Sequence, residues 1–206
     1  MLAGLKGAIY DRLSATGERA GFRETRRELL AGAGGRVLEV GAGTGLNVEL
    51  YPDEVEELVL VEPDEGMAHR LRRRVSESGR PATVVSAAAE SLPFEDASFD
   101  TVVATLVLCS VEDLDRSLAE LRRVLKPGGQ LLFAEHVLSD DPKLARWQDR
   151  LDRPWWGLIS MGCHCNRRTL EAIEEAPFQV NEVERGSLPK APPIVRPLVV
   201  GRAVPR

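Results

Sequence analysis

The chain has 206 residues, of which 43% are hydrophobic and 29% are charged, a composition typical of one globular domain. Its formal net charge of −5 argues against nucleic acid as a partner, because phosphate binding requires a basic surface. Three cysteines, an odd number, and the lack of a signal-peptide pattern favour reduced thiols and a cytoplasmic location. No window approaches the roughly 20 apolar residues of a membrane span, so we expect a soluble protein.

Short apolar runs alternate with helical patterns along the first two thirds of the chain. The first 35 residues predict a helical cap. Five continuous apolar runs follow, at 36–40, 58–61, 82–85, 100–104 and 130–134. Continuous apolarity is typical of parallel strands that are covered on both faces. Helical patterns around 67–75 and 114–125 lie between these runs, and this alternation indicates an α/β sheet.

The pattern changes after residue 136. Residues 140–165 contain all three tryptophans and predict an inserted helix and loop. A short helix from residue 167 to about 175 and two strands at 178–184 and 198–204 complete the chain, the strands forming a hairpin at the sheet edge. We therefore expect a single α/β domain over 1–206, with a doubly wound, mostly parallel seven-stranded sheet and an antiparallel C-terminal strand. Its parts are the cap (1–35), a ligand-binding core (36–136) and the insertion with the last strands (137–206).

The first predicted strand runs directly into the loop Glu39-Val-Gly41-Ala-Gly43-Thr-Gly45. Glycines at every second position allow a tight turn and let backbone N–H groups approach a ligand closely. The spacing differs from the G-x-G-x-x-G fingerprint of dinucleotide binding. The carboxylate of Glu39 suits a cationic amino group, so the loop predicts a ligand without a pyrophosphate.

Glu62 stands at the end of the second predicted strand. An acid at this place in a doubly wound sheet can accept hydrogen bonds from both ribose hydroxyls of a nucleoside. The alternative is that Glu62 caps the following helix, for which Asp64 is the better candidate.

Four motifs together resemble the class I S-adenosylmethionine-dependent methyltransferases, which have a Rossmann-like fold. They are V-L-E-V-G-A-G-T-G, V-E-P, A-E-S-L-P-F-x-D-x-S-F-D and V-L-K-P-G-G, all within residues 36–136. The resemblance implies S-adenosylmethionine as the cofactor and a small-molecule methyl acceptor. Ala88 stands where many relatives have Asp, so adenine recognition would rest on backbone groups alone.

The same resemblance assigns roles to individual residues. It places Gly41, Ala42, Gly43 and Gly45 along the methionine and ribose, Glu62 at the ribose, and Pro63, Met67, Ala89 and Glu90 near the adenine. It also places Thr105 and Leu106 below the sulfonium and Tyr10 over the cofactor.

A second group of motifs lies within residues 100–204 and resembles the methyltransferase-like seven group, whose members are microsomal enzymes that methylate alkyl thiols. The motifs are T-L-V-L-C-S-V at 105–111, E-H-V at 135–137, W-Q at 147–148, G-C at 162–163, R-T at 168–169 and the closing P-x-x-x-G-x-A-V. The resemblance implies a small thiol as acceptor. The N-terminal hydrophobic anchor of that group is absent, which argues against a membrane location.

The sequence motifs leave two alternative functions open. One is an O-, C- or N-methyltransferase that acts on a quinone, a phospholipid or a natural product. The other is a non-catalytic cofactor-binding subunit, against which the complete glycine loop and its acids argue.

His136, with Glu135 beside it, is the candidate general base, because sites in open α/β sheets gather at the carboxyl ends of strands. The alternative is a structural role. A thiol acceptor needs no base, since a few per cent of it is already thiolate at neutral pH.

The triplet Cys163-His164-Cys165 suggests a metal site at first sight. Structural zinc requires four ligands and wider cysteine spacing, so we expect no metal, and the triplet would form a pocket wall or an inert loop. The three tryptophans (147, 155 and 156) would cover the acceptor or fill a small core of their own. The N-terminal stripe of Leu2, Leu5, Ile9 and Leu13 would pack over the cofactor or lie on a membrane surface.

Overall fold

The computed structural model describes residues 3–152 and 162–206. Five parallel strands form the centre of one sheet: β1 (Gly35–Val40), β2 (Val55–Val61), β3 (Thr83–Val85), β4 (Phe99–Thr105) and β5 (Leu125–His136). β6 (Phe178–Ser187) and β7 (Pro197–Pro205) complete it, with β7 antiparallel to both β5 and β6. The strand order is β3-β2-β1-β4-β5-β7-β6. The predicted seven-stranded, mostly parallel sheet is confirmed.

Six described α-helices accompany the sheet: α1 (Ala3–Gly17), α2 (Arg23–Leu30), α3 (Glu65–Ser78), α4 (Leu114–Val124), α5 (Pro142–Leu151) and α6 (Thr169–Glu175). A π-helix (Glu18–Phe22) and a short 3-10 helix (Pro193–Val195) are also present. α1 and α2 meet at a kink where Gly21 has φ +127°. α3 begins at Asp64, whose carboxylate accepts the Met67 N–H, and ends at Gly79 with φ +68°. Asp64 is therefore the helix cap, as expected, and Glu62 is left for another role.

The connections after β1 and β3 differ from the helical crossovers of an ideal alternating pattern. Residues 41–54 and 86–98 form turns and bends. Three glycines and Pro52 interrupt the first segment, and Pro93 interrupts the second, so neither supports an uninterrupted helix. The chain consequently runs close over the carboxyl ends of the strands.

Both faces of the sheet are buried, which explains the continuous apolar runs. One face packs against α4 and α6 through a cluster that contains Leu121 and Ile173. The other packs against α2 and α3 through Leu30 and Leu71. Within residues 3–152 and 162–206, no helix has the length and apolarity needed to cross a bilayer.

Candidate active site

A cavity of about 570 Å³ lies at the carboxyl ends of β1 and β4, a size typical of small-molecule sites. The glycine loop and the residues after β4 line one side. The end of α1, the kink before α2 and the 188–195 link before β7 line the other. The cavity is bordered by a subset of the residues predicted to bind the cofactor: Tyr10, Glu39, Gly41, Ala42, Gly43, Thr105 and Leu106.

The three glycines of the loop serve different purposes. A Cβ on Gly41 would lie 2.1 Å from a methyl carbon of Val107, and one on Gly45 would lie 2.7 Å from a methyl carbon of Leu71. These glycines let the loop pack against the chain after β4 and against α3. At Gly43 the nearest atom would be 3.9 Å away, which leaves room for a ligand. Gly45, predicted to contact the cofactor, is thus required for helix packing.

A buried polar network lies beneath the glycine loop. The Glu39 carboxylate accepts hydrogen bonds from the Asn47 amide at 2.8 Å and the Tyr51 hydroxyl at 2.7 Å. Burial raises the pKa of Glu39 to about 7, against the opposing effect of these donors and of Arg26. Arg26 is itself buried and donates to Asn47 and Glu18. The network places a cation and an acid side by side at the cavity, an arrangement that matches the carboxylate and ammonium groups of an amino acid.

Glu62 lies next to the glycine loop, as a ribose-binding acid requires. Its carboxylate accepts the Gly43 N–H at 2.8 Å and the Asp64 N–H at 2.9 Å. Burial raises the pKa of Glu62, and these N–H donors oppose the rise. Each carboxylate oxygen can accept more than one bond, so both oxygens retain acceptor capacity for hydroxyl groups.

The four residues predicted near the adenine differ in their exposure and in their contacts. Met67 lies beside Gly43, and Ala89 is buried in the core. Pro63 is exposed. The carboxylate of Glu90 accepts N–H bonds at the start of α4, so its side chain is committed to the helix and leaves its backbone for an adenine contact.

Polar contacts hold α1 against the glycine loop and α3. Lys6 pairs with Asp64 at 2.8 Å, and Asp11 binds both Arg70 at 3.1 Å and the Thr44 hydroxyl at 2.5 Å. Of the predicted apolar stripe, Leu13 borders the cavity although it is 70% exposed, and Ile9 is 44% exposed and does not border it. The helix is held instead by its polar face. Leu2 lies outside the described residues.

Glu135 holds the loop that follows β4. Its carboxylate accepts the backbone N–H groups of Val107 (2.9 Å), Leu108 (3.0 Å) and Cys109 (3.3 Å). Leu106, which lines the cavity, has φ +54°, a conformation that costs a leucine free energy and persists because its surroundings fix it. Glu135 therefore positions the loop, and its oxygens are turned toward backbone amides.

His136 is buried outside the cavity lining, and its Nε2 contacts the Cys163 thiol. Burial lowers the pKa of His136, but the neighbouring Cys109 and Glu135 outweigh this and raise it overall. The triplet 163–165 does not form one site. His164 pairs with Asp152 at 3.0 Å, and the Cys165 thiol is buried against a backbone carbonyl.

The expected tryptophan cover of the acceptor is absent where the structure describes it. Trp147 is 57% exposed on α5, and among residues 3–152 and 162–206 it belongs to neither the cavity lining nor a buried cluster. Trp155 and Trp156 lie outside the described residues. In the described part, the 188–195 link takes the place that the tryptophans were expected to fill.

Arg26, Asn47 and Tyr51 were missed by sequence reasoning. Arg26 stands in the arginine-rich stretch R-E-T-R-R, which is typical of a solvated helix face. Asn47 and Tyr51 follow the glycine loop at four-residue spacing, and this spacing was the one available signal.

Comparison with known proteins decides the family. A model of the methyltransferase domain matches residues 38–133. Human thiol S-methyltransferase TMT1A is 35% identical over 202 residues, which are 95% of this chain and 81% of that protein. The chain belongs to the class I S-adenosylmethionine-dependent methyltransferases, in the methyltransferase-like seven group. It transfers a methyl group from S-adenosylmethionine to a small-molecule acceptor.

Two further comparisons show the breadth of this family. Phosphatidylethanolamine N-methyltransferase of Cereibacter sphaeroides is 35% identical over 178 residues, 83% of this chain and 87% of that protein. A crystal structure of a methyltransferase from Thermotoga maritima, described as a possible histamine N-methyltransferase, superposes with a TM-score of 0.70. It is 24% identical and covers 97% of this chain and 96% of that one. This second likeness supports the fold.

The residues of this methyltransferase fit the cofactor. Arg26 would take the methionine carboxylate, because its buried Nε has no hydrogen-bond partner among the described residues. Glu39 would take the amino group, and Glu62 the ribose hydroxyls. When bound, S-adenosylmethionine supplies a methyl group already activated on a sulfonium. The protein then has to orient the acceptor and exclude water, and these effects provide most of the rate of such a displacement.

Proposed function

We propose that this methyltransferase acts on a small apolar thiol. The observation that carries the proposal is the acceptor side of the cavity, where apolar residues and Lys190 line the space and the described carboxylates at the cavity are already engaged. The apolar lining comes from α1, the kink and the 188–195 link: Leu13, Phe22, Leu188, Pro189, Pro192 and Val195.

The acidic and phenolic groups at the cavity are already engaged or protonated. Glu18 pairs with Arg26, and Glu39 accepts two hydrogen bonds. Burial raises the pKa of Tyr10 to about 12, so its hydroxyl stays protonated at neutral pH. A thiol reacts through its thiolate, which is so nucleophilic that a small ionised fraction suffices without a base, whereas a phenol depends more on general-base assistance.

An apolar lining also suits the charge change of the reaction. Attack of a thiolate on a sulfonium neutralises two opposite charges, and the carbon–sulfur bond to the methyl group moves from one sulfur to the other. A site that solvates separated ions poorly therefore favours the transition state over the reactants.

The relatives support the same acceptor class. TMT1A of human is named a thiol S-methyltransferase and matches 95% of this chain. The phosphatidylethanolamine N-methyltransferase has the same sequence identity to this chain but over a shorter part of it. An amine is therefore the second candidate acceptor.

The test is the pH dependence of kcat/KM with two alkyl thiols of different acidity. We expect kcat/KM to rise with pH up to the pKa of each thiol, so that the two profiles are displaced by the difference between the thiols. An inflection that stays at one pH for both thiols would show that a group of the enzyme, such as His136, acts as the base.

A panel of acceptors separates the candidates. Labelled S-adenosylmethionine is offered with alkyl thiols, phenols, quinols, and phosphatidylethanolamine in vesicles. Methylation of the thiols supports the proposal. Transfer to an amine or a quinol, together with no transfer to any thiol, contradicts it.

A further inference from the structure

Two cysteine sulfurs and one histidine nitrogen from distant parts of the chain converge outside the cavity lining. Cys109 follows β4, His136 ends β5, and Cys163 comes from the insertion. Their ligand atoms all lie within 4.8 Å of one another. The two Sγ atoms are 3.6 Å apart, and His136 Nε2 contacts Cys163 Sγ. The cofactor and acceptor contacts described above use none of these three side chains.

We propose that Cys109, His136 and Cys163 bind one thiophilic divalent cation, zinc in the first instance. Two thiolates and one imidazole are a ligand set that zinc accepts, and three protein ligands are characteristic of sites that keep a fourth position for an exogenous ligand. Binding converts two thiols into thiolates and releases their two protons to solvent. The two thiolates and the divalent ion then have a net charge of zero.

The spacing of the sulfur atoms favours this interpretation. Two thiolates bound tetrahedrally to zinc at about 2.3 Å lie about 3.8 Å apart, close to the observed 3.6 Å. A disulfide would require the same atoms to approach to about 2.05 Å. An ion at this place also requires His136 Nε2 to move away from Cys163 Sγ, which it now contacts, because a nitrogen and a sulfur bound tetrahedrally to zinc lie about 3.5 Å apart.

The backbone around the cluster is fixed independently of any ion. Glu135 binds the Cys109 N–H, and the Cys109 carbonyl accepts the His164 N–H at 2.8 Å. Arg167 donates to the Leu108 carbonyl at 2.8 Å. The segments that carry the two cysteines are thus joined to each other, and the adjacent Glu135 carboxylate favours a cation.

The exposure of the cluster and its open fourth coordination position indicate that an exogenous ligand can reach the ion. Cys109 and His136 are buried and Cys163 is half-buried, so the cluster is open to solvent at Cys163. No fourth ligand belongs to the cluster among residues 3–152 and 162–206. The fourth position suits an exogenous soft ligand such as an alkyl thiolate, and because the cluster lies outside the cavity lining this ligand is distinct from the methyl acceptor of the proposed function.

The inference departs from the sequence-based expectation of no metal. That expectation rested on the close cysteine spacing within the 163–165 triplet and on the need for four ligands; of the triplet, only Cys163 belongs to the cluster. The strand ends supply the other two ligands.

The direct test uses cobalt as a spectroscopic substitute for zinc. The full chain is prepared under a non-thiol reductant, stripped of metal and titrated with Co²⁺, without S-adenosylmethionine or acceptor. We expect about one equivalent to bind, with thiolate-to-cobalt charge-transfer bands and the visible bands of tetrahedral cobalt. Cys163→Ser should weaken binding at least about 100-fold, beyond the 10–100-fold typical of losing an outer partner of a metal ligand.

His164→Gln is the matched control, because His164 neighbours Cys163 but pairs with Asp152. It should bind cobalt as the wild type does. Thermal melting and S-adenosylmethionine binding establish that each variant is folded. A wild type without charge-transfer bands, or a Cys163→Ser variant that binds cobalt normally, would overturn the proposal.

Addition of an alkyl thiol to the cobalt protein separates the two proposals. A shift of the charge-transfer bands supports a thiolate in the fourth position, and unchanged bands refute that part. The metal site is judged by stoichiometry and spectrum alone. Thiol methylation is judged by the acceptor panel, so either proposal can fail while the other stands.

Discussion

Glu135→Gln tests whether Glu135 positions the loop after β4 or takes part in proton transfer. A glutamine keeps one oxygen, which can accept two of the three N–H groups that the carboxylate now binds. Its NH₂ group would then face the remaining N–H, donor against donor. A buried donor left without a partner costs about 1–3 kcal/mol, and the loss of charge weakens the other two bonds by roughly 1 kcal/mol in total.

The expected loss of unfolding free energy is therefore about 2–4 kcal/mol. For a domain of this size, each kcal/mol shifts the melting temperature by about 2–4 °C, so we expect a decrease of roughly 5–15 °C. Thermal and urea unfolding, both with the cofactor absent, measure the effect. Glu184→Gln, an exposed glutamate on β6, is the control and should change stability by less than about 0.5 kcal/mol.

Activity separates the two roles of Glu135. If it positions the loop, kcat/KM should fall because Thr105 and Leu106 at the cavity lose their support, and the loss should accompany the loss of stability. A Glu135→Gln protein that melts within about 2 °C of the wild type and yet has no turnover would refute this reasoning, since that combination is expected of a proton acceptor.

Two further predictions concern the acids at the cofactor site. Glu62→Ala should weaken S-adenosylmethionine binding by about 1.5–3 kcal/mol, the loss for hydrogen bonds to a charged group; calorimetry measures it, with the exposed Glu57→Ala as control. The second concerns Glu39, whose folded pKa of about 7 exceeds its unfolded value. The folded state therefore binds the extra proton, and stability should fall as the pH rises from about 4.5 to about 7, by up to roughly 3 kcal/mol. Urea unfolding at several pH values should show that Glu39→Gln flattens this decrease, and an unchanged slope in the variant would contradict the assignment.

The sheet and the glycine loop were predictable because their signals are local. Continuous apolar runs mark strands buried on both faces, and the spacing of Gly41, Gly43 and Gly45 marks the ligand loop. The sequence spacing alone did not show which of the three glycines faces the ligand and which is required for packing. Gly45 is constrained by Leu71, a contact that depends on how α3 returns over the sheet.

The cluster of Cys109, His136 and Cys163 depends on long-range placement. Each pair of neighbouring members is separated by 27 residues, so their sequence spacing resembles no metal motif. The pairing of β4 with β5 brings Cys109 and His136 near each other, since Cys109 follows the end of β4 and His136 ends β5. The position of Cys163 depends on the insertion, and its backbone hydrogen bonds to the loop after β4 have no sequence signature.

Arg26 is the residue whose role the sequence concealed most completely. Its neighbours Arg23, which is half-buried, and Arg27, which is exposed, pair with Glu49 and Glu24, as an amphipathic surface helix predicts. Arg26 alone of the three is buried, because α2 packs against the turn that carries Asn47. A buried guanidinium with an unpartnered Nε is costly unless an anion completes its hydrogen bonds.

Arg26→Lys tests whether the methionine carboxylate of the cofactor is that anion. Lysine keeps the charge but has no planar fork, so it cannot reproduce both existing contacts and a carboxylate bond. S-adenosylhomocysteine should therefore bind about 10–100-fold more weakly, equivalent to about 1.4–2.8 kcal/mol. Methylthioadenosine lacks the amino-acid carboxylate and should bind the variant and the wild type alike, and Arg23→Lys should leave both affinities unchanged. Equal weakening of the two ligands would show that Arg26 supports the loop fold and does not bind the carboxylate. The comparison of two ligands on one variant thus separates recognition from folding.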